Sequence, residues 1–221
     1  MARSSTRDAL LHQGALLFAR HGVADVTTRQ LHDAIGARNE SALHYHFGSK
    51  DGLVEAILRA HLEAVEARRA PLVAAIAAGD RTADPRALVH ALAAPMDEDL
   101  RTELGRAHLR IVARLSYPSL AYRRPFQIVD APAGLAVARW LHATLEPLPR
   151  PLRLERLAML RSQLISLFGL RAQLLDESAP GEPPVTAELF SGNLLDMLVA
   201  GLTAPASAQT LAAIPGVNDS H

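Results

Sequence analysis

The sequence predicts an all-α protein. Sustained period-two alternation of apolar and polar residues, the pattern of a half-buried strand, is missing, and β-branched residues rarely cluster. Apolar residues recur at helical spacing instead, and Gly, Pro and helix-capping residues divide the chain into helix-length segments. We therefore expect helices joined by turns and loops.

The N-terminal segments have clear start and stop signals. The first helix is predicted at 6–21, where apolar residues share one face, and Gly22 ends it. A short second helix is predicted at 28–35, because Thr27 and Gln30 have the spacing of a capping box.

Gly36 ends the second helix, and a third is predicted at 40–47 with Asn39 as its cap. Ser49 then caps a long helix at 50–77.

The rest of the chain is also predicted to be helical. Asp84 and Pro85 open one helix, since proline is well accommodated in a first turn. Later helices are predicted at 102–115, 131–145, 154–177 and 185–202. The expected organisation is an N-terminal domain at 1–50, a C-terminal helical domain at 51–204 and a flexible tail at 205–221.

Composition limits the possible functions. The 221 residues include no cysteine, which excludes disulfides and cysteine-based metal or catalytic sites. The 23 basic and 23 acidic residues balance, so any contact with nucleic acid has to be local. No apolar run reaches the ~18 to 20 residues of a membrane span, and no signal-peptide pattern begins the chain. We expect a soluble, cytoplasmic protein with no membrane partner.

The first three predicted helices have the pattern of a helix-turn-helix unit, in which the second short helix enters the DNA major groove. Leu43 and Phe47 are one turn apart and should pack inward. Ser41, His44 and Tyr45 should then face outward, where they can contact bases or phosphates.

Lys50 is the only lysine of the chain and lies in the first turn of the predicted fourth helix. A cation there opposes the helix dipole at a cost of about 0.3 to 1 kcal/mol. A phosphate would offset this cost, because the free backbone N–H groups and the lysine would bind it together. We therefore predict a phosphate contact, and an ordinary solvated lysine is the alternative.

The N-terminal region resembles the DNA-binding domain of the TetR family of bacterial repressors. The resemblance rests on Phe18, Gly22, the segment TTRQL at 27–31, Gly36, and the segment YHFGSKDGL at 45–53. Three features depart from the family pattern: His44 replaces a usual tyrosine, His32 replaces a usual small residue, and the turn at 36–39 is one residue longer.

Motif and resemblance together predict a set of DNA-contacting residues. These are Thr28, Arg38, Asn39, Glu40, Ser41, His44, Tyr45, His46 and Lys50. His44 and His46 would point apart on a helix and have no third ligand nearby, so no metal and no cofactor is predicted. A core role for Tyr45 and an ordinary surface role for Arg29 and Arg38 are the alternatives.

The resemblance also implies a homodimer formed by the last two long helices of each chain. The segment 154–177 is apolar around most of its circumference, which requires cover on more than one side. Candidate interface residues are Leu164, Phe168, Gly169, Leu195 and Leu198. A central helix in a larger monomer core is the alternative.

An inducer pocket in the C-terminal domain is a further implication of the resemblance. Candidate lining residues are Met96, His108, Ile111, Tyr117, Phe126, Trp140 and Phe168. They suit an apolar or amphipathic small molecule. A satisfied core histidine is the alternative for His108.

The expected function is a homodimeric, sequence-specific transcriptional regulator that binds double-stranded DNA at a palindromic operator. The family resemblance favours a ligand-responsive repressor and no enzymatic activity. A helical ligand-binding protein or a small enzyme with a vestigial helix-turn-helix unit is the alternative, although no phosphate-binding Gly-rich loop or metal-ligand spacing supports an enzyme.

Overall fold

The computed structural model describes residues 5–36, 41–116, 131–178 and 185–214, and regular structure in these parts is α-helical throughout. The helices are α1 (Thr6–His21), α2 (Thr28–Ala34), α3 (Ala42–Phe47), α4 (Lys50–Ala78), α5 (Pro85–Asp99), α6 (Glu103–Ser116), α7 (Pro132–Thr144), α8 (Arg150–Glu177), α9 (Ala187–Thr203) and α10 (Ala208–Ala212). The predicted all-α fold is confirmed. Within the described residues, no helix combines the length and apolar character that crossing a bilayer requires.

Local capping explains most of the N-terminal boundaries. Gly22 ends α1 with a φ of 89°, a left-handed conformation that favours glycine. Thr27 and Gln30 form the predicted capping box of α2. The Ser49 hydroxyl accepts a hydrogen bond from the Gly52 N–H at 3.0 Å and caps α4. These three predictions are confirmed.

Five helices begin elsewhere than predicted: α6 and α7 begin one residue later and α9 two residues later, and α3 and α8 also differ. α3 begins at Ala42 instead of residue 40, and the predicted cap Asn39 lies outside the described residues. α8 begins at Arg150 instead of residue 154, because Pro151 is tolerated in the first turn, where its missing N–H would have had no partner.

Two apolar clusters form the interior. The N-terminal cluster combines α1 and α2 residues with Leu43 and the first half of α4, and α6 adds Ala107, Ile111 and Val112 to it. The C-terminal cluster is built mainly from α5, α7, α8 and α9, and includes Leu109 of α6. Helix α6 thus packs into both clusters. The predicted domain limit at residue 50 coincides with the start of α4, which continues from one cluster to the other.

Buried polar side chains tie α4 to its neighbours. The Glu66 carboxylate accepts hydrogen bonds from the backbone N–H groups of Ala133 and Gly134, at the N-terminus of α7. Arg69 contacts Glu66 at 3.1 Å and also donates to the Ala91 carbonyl at 3.2 Å. Pro95 has no N–H to offer that carbonyl, so Arg69 replaces a hydrogen bond that α5 cannot make itself.

Candidate nucleic-acid interface

The candidate interface lies where α2, α3 and the beginning of α4 meet. A concave site of about 360 Å³ opens between them, and its lining residues are Thr28, Arg29, His32, Leu43, His44, Gly48, Ser49 and Lys50. The first turn of α4 borders this site, and free N–H groups at a helix N-terminus attract anions. The site therefore has the electrostatic character that suits a phosphate.

Helix α3 has one buried and one exposed face. Leu43 is 4% exposed and Phe47 is packed against the N-terminal cluster, as predicted. Tyr45 is 83% exposed, so the alternative that it belongs to the core is wrong. Its ring meets the His46 ring edge-on, with 4.9 Å between ring centroids. The outward face of α3 thus carries an aromatic side chain that is not part of the core.

One ring nitrogen of His44 forms a hydrogen bond within the protein. Nδ1 lies 2.7 Å from the Gly48 carbonyl oxygen, which can only accept, so Nδ1 carries a hydrogen and donates. In the neutral ring Nε2 then has only a lone pair. His44 can therefore donate a hydrogen bond to phosphate only as an imidazolium.

Lys50 has a structural role that the sequence did not reveal. Its Nζ donates to the carbonyl oxygens of Val23 at 2.8 Å, Ala24 at 3.2 Å and Val26 at 2.9 Å. The ammonium group thus engages all three of its hydrogens and clamps the α1–α2 loop to α4. The alternative of a solvated lysine is wrong. The phosphate contact stays a prediction, but it is not needed to explain the position of the charge.

His32 is a residue of this region for which the sequence suggested no role. It is 5% exposed, and its Nε2 accepts a hydrogen bond from the Leu43 N–H at 3.4 Å. The sequence did contain one signal for such a role: a histidine occupies position 32, where the resembled family usually has a small residue.

The remaining predicted DNA contacts divide into two groups. Thr28 on α2 and Ser41 before α3 are exposed, so a DNA contact by either side chain stays a prediction. Arg38, Asn39 and Glu40 lie outside the described residues. Arg29, the doubtful candidate, has a side chain 85% exposed and lies 3.9 Å from the Asp33 carboxylate, as an ordinary surface arginine does.

The predicted dimer-interface residues require correction. Leu164, Phe168, Gly169 and Leu198 are buried in the chain's own interior, and Leu195 is partly buried against the C-terminal cluster. A Cβ added at Gly169 would lie 2.3 Å from the Ala113 side chain, so this glycine permits close contact between α6 and α8 within one chain. The exposed apolar side chains on α8 and α9 are different ones and include Leu170, Leu174, Leu189 and Met197.

The described pocket candidates belong to more than one part of the interior, and the pocket stays a prediction. Ile111 packs in the N-terminal cluster, whereas Met96, Trp140 and Phe168 belong to the C-terminal one. Tyr117 and Phe126 lie outside the described residues.

His108 has a different environment from the other pocket candidates. It stacks against His61 with ring centroids 4.7 Å apart, between the two clusters. The pKa of His108 is lowered to about 4, first by burial and then by His12 and Arg68.

The partner of His108 is part of a buried polar group. Burial lowers the pKa of His61 to about 3, assisted by His108 and Arg68. Arg68 holds one Asp99 oxygen at 2.7 Å, and the other oxygen lies 3.8 Å from His61 Nδ1, too far for a hydrogen bond. Burial raises the pKa of Asp99, against the effect of Arg68. Among the described residues no set of three or more His, Asp or Glu side chains is placed to hold a metal ion.

Comparison with known sequences finds matches for the N-terminal region of the chain. The family model of "Bacterial regulatory proteins, tetR family" matches residues 10–57. The HTH-type transcriptional repressor KstR2 of Rhodococcus jostii is 41% identical over 61 residues, 28% of this chain and 29% of that protein. KstR2 of Mycobacterium tuberculosis is 35% identical over 82 residues, 37% of this chain and 38% of that protein. The aligned region thus spans well under half the length of these curated relatives.

Solved structures extend the likeness in fold to nearly the whole chain. The ketosteroid transcriptional regulator KstR2 of Mycobacterium tuberculosis superposes with a TM-score of 0.57 at 21% identity, over 91% of this chain and 96% of that one. The TetR family transcriptional regulator PfmR of Thermus thermophilus superposes with a TM-score of 0.50 at 19% identity, over 88% of this chain and 99% of that one.

Proposed function

Since the N-terminal domain of this chain is a TetR-family DNA-binding domain, we propose that the protein is a sequence-specific transcriptional regulator that acts as a repressor. The observation that carries the proposal is the two-sided character of α3. Its inner face is anchored by Leu43, while Tyr45 is 83% exposed beside a site suited to phosphate. In this proposal the protein acts in the cytoplasm by binding DNA, and it does not catalyse a reaction.

The arrangement suggests how the domain engages DNA. Helix α3 enters the major groove with Ser41 and Tyr45 toward the bases and sugars, and α2 contributes Thr28 at the edge. A phosphate occupies the concave site and accepts from the first-turn N–H groups of α4. His44, which also lines this site, would add a contact to the phosphate when its ring is protonated.

A homodimer fits the apolar side chains of α8 and α9 that are exposed among the described residues. Leu170 and Leu174 are one turn apart on α8, and Leu189 and Met197 are two turns apart on α9. All four are at least half exposed, and an apolar surface of this kind favours a protein partner. A two-fold dimer would place two α3 helices in successive major grooves, about 34 to 36 Å apart on a palindromic operator.

A small-molecule inducer is the proposed control. The known relative named a ketosteroid transcriptional regulator makes an apolar or amphipathic compound a reasonable first class to test. Such a compound would bind within the C-terminal helices and favour a dimer in which the two α3 helices no longer match the operator, a population shift.

The decisive experiment measures binding to DNA fragments selected from the source genome. The wild type, Tyr45→Ala and the control Leu135→Ala, an exposed residue of α7, are compared in excess random-sequence competitor at low and high salt. We expect competitor-resistant, salt-dependent binding by wild type and control, and a loss of roughly tenfold or more for Tyr45→Ala. Selection that enriches no sequence, or an unaffected Tyr45→Ala, would overturn the proposal.

A further inference from the structure

The recognition helix α3 has an unusual N-terminus. It spans only six residues, and a helix of that length gains little stability from its own hydrogen bonds. The residue before it, Ser41, has helical backbone angles, and its side chain makes no capping hydrogen bond. Ser41 thus does not cap α3 with its side chain, so a first-turn N–H group of α3 can donate to an acceptor on another described helix.

His32 of α2 supplies one such acceptor. Its Nε2 lies 3.4 Å from the backbone nitrogen of Leu43, the second residue of α3, and both residues are buried. A backbone N–H can only donate, so Nε2 accepts and the neutral ring carries its hydrogen on Nδ1. A side chain of one helix thus performs the work that an N-cap residue normally does within its own helix.

We propose that His32 is a positioning residue for the recognition helix, which it caps from outside through the Leu43 N–H. The proposal deepens the proposed function and rests on it for its consequence at DNA. Because the hydrogen bond joins the two helices of the helix-turn-helix unit directly, it fixes where α3 begins relative to α2. An apolar residue at position 32 would leave the buried Leu43 N–H without this partner.

The cap depends on the protonation of the ring, since an imidazolium has no acceptor nitrogen. Among the described residues, the charged and titratable groups near His32 include Arg29 and Asp33 on α2, His44 on α3 and Lys50 on α4. The Lys50 ammonium is held by backbone carbonyls, and Asp33 lies near Arg29. A protonated His32 ring would therefore lose the cap, whereas a protonated His44 ring would gain a donor for its phosphate contact.

Two substitutions separate these effects. His32→Gln keeps an acceptor oxygen near the position of Nε2 and cannot be protonated, and His32→Leu keeps the volume but offers no acceptor. Protection of the Leu43 amide against hydrogen exchange, relative to its intrinsic rate, reports on the cap without DNA. Affinity for the genome-selected DNA fragment reports on its consequence.

We expect His32→Gln to retain the protection and the DNA affinity of the wild type, and His32→Leu to lose roughly tenfold of both.

Unchanged Leu43 protection in folded His32→Leu, or a loss of Leu43 protection in His32→Gln as large as that expected for His32→Leu, would overturn the proposal. If His32→Leu does not fold, His32→Gln decides alone: retained Leu43 protection supports the cap, and lost protection overturns it. If Leu43 protection behaves as expected but no protein binds DNA specifically, the cap stands and the proposed function fails.

Discussion

Acid should destabilise this protein through His61, a buried histidine of α4. Its pKa is lowered from 6.5 to about 3, first by burial and then by His108 and Arg68. The unfolded chain therefore takes up a proton near pH 6.5 that the folded chain refuses until about pH 3. The stabilising effect of a neutral His61 is complete above pH 6.5 and is lost as the pH falls toward 3.

The expected magnitude follows from this pKa difference. Each pH unit below the unfolded value removes about 1.4 kcal/mol from the free energy of unfolding. At about pH 5 the loss due to His61 is about 2 kcal/mol, and a His61→Gln variant should escape it. Asp99 is present in both proteins, so its opposite contribution largely cancels in the comparison.

Chemical denaturation at about pH 7.5 and pH 5, at fixed protein concentration, measures the difference. The variant should lose about 2 kcal/mol less than the wild type on acidification, while His90→Gln, an exposed histidine of α5, should behave as the wild type. Equal acid sensitivity of the wild type and His61→Gln would refute the reasoning. It would mean that the folded protein accepts the proton, with Asp99 as the nearby counter-charge.

Three further predictions concern other parts of the molecule. Lys50→Met should lower the free energy of unfolding by about 1 to 3 kcal/mol, since three loop carbonyls lose their donor; a stability equal to that of the wild type in urea would contradict the clamp. Glu66→Gln should cost a similar amount, because the α7 N-terminus and Arg69 lose a negative charge; an unchanged denaturation midpoint would count against this. Met197→Arg should convert a dimer to monomers in sedimentation velocity, whereas Leu135→Arg should not; a dimeric Met197→Arg would exclude the α9 surface.

The N-terminal boundaries could be predicted from the sequence because their signals are local. The Thr27 and Gln30 capping box, Gly22 and the Ser49 cap each act over a few residues, and the structure confirms them. The same locality explains the exposed Tyr45: one anchored residue, Leu43, sets the rotation of a short helix.

Local signals of this kind cannot predict contacts between segments that are distant in the sequence. The carbonyl partners of Lys50 lie on the α1–α2 loop at 23–26, and the partner of His32 lies on another helix. A helix-dipole argument alone assigned the Lys50 charge to a phosphate, because nothing in the sequence reveals three carbonyls converging on one ammonium.

The C-terminal helices show a second limit of prediction from the sequence. α8 is apolar around most of its circumference, and such a pattern does not say which face meets the core and which remains for a partner. Phe168 and Gly169 turned out to face inward, and the neighbouring Leu170 outward. Four of the five predicted interface residues thus lie in the chain's own interior, because the choice between faces depends on how α8 and α9 pack against their neighbours.

The sharing of α6 between two clusters has a consequence for exchanging parts between related proteins. Ile111 belongs to the interior that also holds α1, and Arg114 donates to the Ala19 carbonyl at 2.8 Å, near the end of α1. A chimera that joins a foreign helix-turn-helix unit to this chain at residue 50 would place a new α1 against an unmatched α6. To transfer an operator preference from one such regulator to another, α6 therefore has to be exchanged together with the N-terminal helices, although a long stretch of sequence separates them.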